Sequence, residues 1–67
     1  MDTAYHNWLA YCRGCTDRQL RNVYSDERDR LAFERDDEIR ADSVQAVSAC
    51  RVVAAERGIE LGTVEVL

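Results

Sequence analysis

The 67-residue sequence contains no proline, no lysine and only three glycines. These absences exclude the proline-rich or glycine-rich linkers that join separate domains. The apolar fraction of 46% is ordinary for a globular chain and excludes a disordered one. A domain of about 60 residues buries only about 60% of the surface that its unfolded chain exposes. We therefore expect residues 1–67 to form one domain with a thin core, stabilised by a second copy in a homodimer.

The charge balance is acidic, because thirteen aspartates and glutamates oppose nine arginines and give a net charge of −4. This balance disfavours direct binding to nucleic-acid phosphates or anionic lipid, and it favours a basic protein partner. Arginine is also enriched at protein interfaces, where its planar guanidinium forms paired hydrogen bonds. The composition therefore points towards protein partners.

The amino-terminal residues lack the basic and apolar blocks of a signal peptide, and no apolar run approaches the length of a membrane span. Three cysteines are an odd number, which fits reduced thiols better than a secreted disulfide framework. We therefore predict a cytoplasmic protein that does not associate with membranes.

Apolar residues recur at helical spacing and predict an all-α fold. The predicted helices cover about 3–13, 17–35 and 38–57, and residues 58–67 form a short extended tail. The core-facing stripe of the first helix contains Tyr5, Trp8, Leu9 and Cys12. The stripe of the second contains Leu20, Val23, Tyr24, Glu27 and Leu31. The stripe of the third contains Ile39, Ser43, Ala46, Val47, Cys50, Val53 and Ala54.

Local signals set the ends of these helices. Gly14 can adopt the left-handed conformation that ends the first helix. Thr16 with Gln19 forms the capping-box pattern that begins the second. Gly58 is a natural residue to end the third, with Ile59 folding back onto the last turn.

The start of the third helix has two alternatives. Asp42 could cap a helix that begins at Ser43. Ile39 continues the core-facing stripe backwards, which favours an earlier start near Asp36 or Asp37. With either start, a short charged connection joins the second and third helices. This connection favours an antiparallel hairpin with the first helix packed across it.

The second helix and the tail carry two further patterns. Asp17 with Arg21, and Asp26 with Arg30, have the acid-first i,i+4 spacing that predicts ion pairs on the solvated side of the second helix. The tail alternates apolar and acidic residues around Gly62, as a strand does. Either it packs loosely over the helices, or it pairs with the edge of a second subunit or a target.

Cys12, Cys15 and Cys50, together with His6, could supply a Cys3His zinc site. A zinc module usually shows two close pairs of ligands, and here only Cys12 and Cys15 form such a pair. Activated CxxC thiolates typically lie at a helix amino terminus, whereas Cys12 lies at a predicted carboxyl terminus. A small zinc- or thiol-dependent module is therefore an alternative, and the leading prediction includes no cofactor.

Two aromatic residues lie off the core-facing stripes. Tyr11 on the first helix and Phe33 on the second are candidate anchors for a protein partner. Arg18 and Arg21 complete the predicted partner-binding set. The same two arginines make a small DNA-binding regulator a second alternative, which the net charge disfavours. Three short helices enclose little volume for catalytic groups, so we expect no enzymatic activity.

The segment from Cys15 to Tyr24, CTDRQLRNVY, followed by Glu27, resembles small accessory proteins of transposable bacteriophages that infect GC-rich Gram-negative hosts. Similar phage proteins include inhibitors of host regulators, among them a helical, dimeric quorum-sensing anti-activator that binds a LuxR-type transcription factor. The resemblance implies a phage-encoded inhibitor or modulator of a host regulatory protein. The leading prediction is therefore a non-enzymatic protein-interaction module that binds such a regulator.

Overall fold

The computed structural model describes residues 3–61, and this part of the chain contains three helices. They are α1 (Thr3–Arg13), α2 (Asp17–Phe33) and α3 (Asp37–Arg57). The predicted all-α class is confirmed, and residues 3–61 contain no strand. The prediction of a strand-like tail falls largely on residues 62–67, which lie outside the described part of the chain. None of the three helices is both long enough and apolar enough to cross a membrane.

The connection between α2 and α3 begins earlier in the chain than predicted. The second helix ends at Phe33 rather than at residue 35, because Glu34 adopts an extended conformation with φ −76° and ψ 136°. The third begins at Asp37, which agrees with the predicted start at about residue 38. The Asp36 side chain accepts hydrogen bonds from the backbone N–H groups of Glu38 and Ile39, at 2.9 and 3.1 Å. The earlier of the two predicted starts is therefore confirmed, because Asp36 caps the helix.

The turn between α1 and α2 contains the predicted capping box. The Gln19 N–H donates to Thr16 Oγ1 at 3.1 Å, and the Thr16 N–H donates to Gln19 Oε1 at 2.8 Å. The predicted left-handed conformation of Gly14 is wrong, since Gly58 is the only described glycine with a positive φ. Helix α1 ends instead in a tight turn, where the Gly14 N–H donates to the Tyr11 carbonyl at 3.1 Å.

The end of α3 agrees with the prediction. Gly58 has a φ of 69°, the left-handed conformation that glycine adopts without a steric penalty. The N–H of Ile59 then donates to the Ala54 carbonyl at 3.0 Å, which is the pattern of a Schellman motif. Ile59 and Leu61 are half-buried and pack against the core. The first residues of the predicted tail therefore cover the helices.

The core lies where α3 packs against both α1 and α2. Small residues of α3 allow this close approach, because Ala46, Ala49 and Ala54 are all buried. Other members of the core are Leu9, Cys12, Cys15, Leu20, Tyr24, Cys50 and Val53. Ile39 is a wrong core prediction, because its side chain is 42% exposed near the start of α3.

Arg57, the last residue of α3, joins all three helices at one corner. Its Nη2 donates to the carbonyl oxygens of Cys15, Arg13 and Cys12 at 2.7, 3.2 and 3.4 Å. Its Nη1 donates to Oδ1 of Asp17 at 2.9 Å. Carbonyl oxygens at a helix carboxyl terminus lack intrahelical partners and carry partial negative charge, so a guanidinium stabilises them. Asp17 therefore pairs with α3, and its predicted i,i+4 partner within α2 is wrong.

Replacing Arg57 should destabilise the fold more than replacing a surface arginine. For Arg57→Ala we expect the free energy of unfolding to fall by about 2 kcal/mol, because several charge-assisted hydrogen bonds are lost. Arg57→Lys keeps the charge but lacks the planar fork, so we expect about half of that loss. Urea denaturation followed by circular dichroism measures both, with the exposed Arg18→Ala as the control. Equal midpoints for Arg57→Ala and Arg18→Ala would contradict the role of Arg57.

Candidate functional site

An open groove of about 500 Å³ lies between α1 and α2 and reaches α3. This volume is within the usual range for ligand pockets, about 300 to 1,000 Å³. The groove combines aromatic, aliphatic and acidic side chains. Its lining consists of Ala4, Asn7, Trp8 and Tyr11 from α1, Val23, Asp26 and Glu27 from α2, and Asp42 from α3.

Trp8 and Tyr11 form the aromatic wall of the groove. Their ring centroids lie 5.8 Å apart with the rings nearly perpendicular, at 86°. The indole Nε1–H of Trp8 donates to Oδ1 of Asp42 at 3.1 Å, which links this wall to α3. Tyr11 remains 57% exposed at the rim. The hydrogen bond to Asp42 therefore orients Trp8, and the Trp8 ring in turn contacts the exposed Tyr11 ring.

Three carboxylates line the groove, those of Asp26, Glu27 and Asp42. Glu27 is buried, and its Oε1 accepts from Ser43 Oγ at 2.8 Å. Its Oε2 lies 3.6 Å from Nη1 of Arg30. The predicted pairing of Arg30 with Asp26 is therefore wrong, since Arg30 pairs with Glu27 across one helical turn. None of the ion pairs formed within residues 3–61 involves Asp26 or Asp42.

A second hollow of about 420 Å³ contains Phe33, which is 82% exposed. It is lined by Asp26, Asp29, Arg30, Phe33 and Glu34, so the two hollows share Asp26. Tyr11 and Phe33, both predicted partner anchors, thus belong to adjoining hollows. We call the linings of these two hollows together the aromatic–acidic surface.

The other two predicted partner residues lie elsewhere. Arg21 uses its Nε–H to donate to the carbonyl oxygen of Glu60 at 3.1 Å, which ties α2 to the segment after α3. Arg18 is exposed and lines neither hollow. The structure therefore divides the predicted set into two aromatic residues on the aromatic–acidic surface and two arginines outside it. The acidic members Asp26 and Asp42 were missed, because only tertiary structure brings them beside Tyr11.

Cys12 and Cys50 face each other in the core, with their Sγ atoms 3.6 Å apart. Burial and the hydrogen bond with Cys12 raise the pKa of Cys50 to about 12. Burial also raises the pKa of Cys12. Both thiols are therefore protonated at neutral pH, which is the opposite of what a reactive nucleophile needs.

The other two members of the proposed zinc set, Cys15 and His6, have different surroundings. Cys15 is buried in the turn, where its Sγ donates to the Tyr11 carbonyl at 3.4 Å. His6 is exposed and stacks obliquely on Tyr5, with the ring centroids 5.9 Å apart. Within residues 3–61 no group of three His, Cys, Asp or Glu side chains is arranged to hold a metal ion. The zinc alternative therefore has no assembled ligand set there.

The raised pKa of Cys50 predicts a loss of stability at alkaline pH. The unfolded thiol ionises near its ordinary pKa of 9.0, whereas the folded thiol stays protonated up to about 12. The unfolded state therefore releases its proton first, and the free energy of unfolding should fall as the pH rises from 9 towards 12. By pH 11 this contribution should amount to about 3 kcal/mol, because each pH unit above 9 costs about 1.4 kcal/mol.

Urea denaturation at pH 8 and pH 11 measures this loss, and Cys50→Ala is the matched variant. The variant should lose less stability between the two pH values than the natural chain, because it lacks the Cys50 thiol. The same loss in both proteins would show that Cys50 does not cause the pH dependence.

Comparison with protein-family models, curated proteins and solved structures gave no match to this chain. The resemblance of the segment from Cys15 to Tyr24 to phage accessory proteins stays a prediction. Because a fold does not by itself determine a function, the chemistry of the side chains has to support any functional proposal.

Proposed function

We propose that this chain is a non-enzymatic protein-interaction module that binds a regulatory protein, such as a host transcription factor, in the cytoplasm and alters its activity. The observation that carries the proposal is the exposure of Tyr11 and Phe33 on one aromatic–acidic surface. Large aromatic side chains at the surface are typical anchors of protein interfaces. The resemblance to phage inhibitors of host regulators supports the choice of partner.

The proposal includes the predicted antiparallel hairpin of α2 and α3. Contacts between the two helices support it, because Ser43 contacts Glu27, and Nη2 of Arg51 donates to the Tyr24 hydroxyl at 3.2 Å. The earlier residue of α3 thus contacts the later residue of α2, as expected for antiparallel helices. In such a hairpin α2 presents Asp26 and Phe33 on a side that α3 does not cover.

We also propose that the module is a homodimer. Val44 and Val52 on α3 are 46% and 37% exposed, although both are apolar. They lie two turns apart and outside the buried stripe of α3, so a second copy could cover them. Sedimentation equilibrium should give twice the chain mass at micromolar concentration, and Val44→Asp with Val52→Asp should give a monomer. A monomeric natural chain would contradict dimerisation without affecting partner binding.

Partner binding should depend on Tyr11 and Phe33. Affinity capture from the natural host with the tagged chain should recover a regulatory protein. We expect Tyr11→Ala and Phe33→Ser each to weaken binding of that protein about tenfold, as for hot-spot residues. Both side chains are exposed, so circular dichroism should show that the variants remain folded.

The control for this experiment is Arg18→Gln, because Arg18 is exposed but lies outside the aromatic–acidic surface. This variant should bind the recovered protein as the natural chain does. Unchanged binding by both aromatic variants would refute the proposed surface. Loss of binding with Arg18→Gln alone would instead place the interface at the start of α2.

A further inference from the structure

We infer that the groove beside Tyr11 accepts a cationic side chain, an arginine or lysine, from a basic segment of the protein partner. The inference rests on the proposed function and specifies which chemistry the groove recognises. It predicts that the cation lies between the aromatic wall of α1 and the carboxylates of Asp26 and Asp42.

Charge complementarity identifies the occupant. Asp26 lines the groove from α2 and Asp42 lines it from α3, and neither takes part in an ion pair within the described part of the chain. The Trp8 indole contributes only a neutral N–H to Oδ1 of Asp42, so no cation among residues 3–61 compensates the charge of that carboxylate. A cationic side chain from a partner would supply the missing countercharge, as in other electrostatically complementary interfaces.

The aromatic wall favours the same occupant. An arginine or lysine over the face of a tyrosine is attracted by the ring quadrupole. This chain already uses that contact internally, because the guanidinium carbons of Arg28 and Arg51 lie 5.5 and 5.6 Å from the centre of the Tyr24 ring. Tyr11 carries the same type of ring, and this residue is 57% exposed. Aliphatic contact with Ala4 and Val23 would accommodate the methylene stem of the bound side chain.

The experiment uses two end-blocked peptides of five residues, with either arginine or neutral citrulline between alanines. Trp8 is the only tryptophan, so its indole N–H gives one assignable NMR signal beside the groove. We expect the arginine peptide to shift this signal saturably at millimolar concentration and the citrulline peptide to bind several-fold more weakly. Added salt should weaken the arginine peptide selectively, because salt screens exposed charges.

Asparagine variants of the two groove aspartates test whether their carboxylates bind the cation. Asp26→Asn and Asp42→Asn should each weaken the arginine peptide about two- to fivefold, as expected for partly exposed ion pairs. Asp42→Asn keeps an oxygen that can accept from Trp8, so the aromatic wall should remain in place. Glu60→Gln removes one charge from an exposed side chain outside the groove and should leave binding unchanged.

Two results would overturn the inference. Equal binding of the arginine and citrulline peptides, or no saturable shift with either, would show that the groove does not recognise a cation. Equal weakening by Glu60→Gln and Asp26→Asn would show that the peptide responds only to net charge. In each case a captured partner that still depends on Tyr11 would leave the proposed function standing, so the two failures are distinguishable.

Discussion

The guanidinium of Arg57 is the contact on which the meeting of the three helices depends. It donates to carbonyl oxygens at the end of α1 and to the carboxylate of Asp17 at the start of α2, while its own backbone ends α3. The tight turn through Gly14 leaves carbonyl oxygens that need partners beside the core. Gly58 follows directly, and its left-handed conformation turns Ile59 back onto the helices. The Arg57 side chain and the Gly58 turn thus stabilise the same corner of the domain.

The position of α3 explains why the core is thin and the groove is open. Its buried side consists mostly of small residues such as Ala46 and Ala49, so α1 and α2 both approach it closely. Leu20 and Val53 are the largest of the fully buried side chains. The bulky ring of Trp8 therefore lies at the edge of the core, between buried apolar atoms and a groove open to solvent. A ring at this boundary can contribute to stability and to recognition at once.

Burial of Glu27 links the fold to the proposed interaction. A buried carboxylate needs polar partners, and Glu27 accepts a hydrogen bond from Ser43 and forms an ion pair with Arg30. Arg30 therefore pairs with Glu27, whereas Asp26 lines both hollows and forms no ion pair within residues 3–61. Two of the cysteines do not contribute to this surface. Burial raises the pKa of Cys12 and of Cys50, so both thiols stay neutral within the core. The chemistry available to a partner is therefore aromatic and acidic rather than thiol-based.

The sequence by itself determined the helices, because helical periodicity and the caps at Thr16 and Gly58 are local properties. It also determined that Tyr11 and Phe33 lie off the core-facing stripes, since side-chain direction follows from helical spacing. Only the tertiary structure decided the partners of Arg57 and the groove formed with Asp26 and Asp42. Those contacts join residues far apart in sequence, and their geometry depends on how the helices pack. No local pattern specifies that packing. Several acidic side chains could pair with the same arginine, and helix packing decides which of them lies close enough.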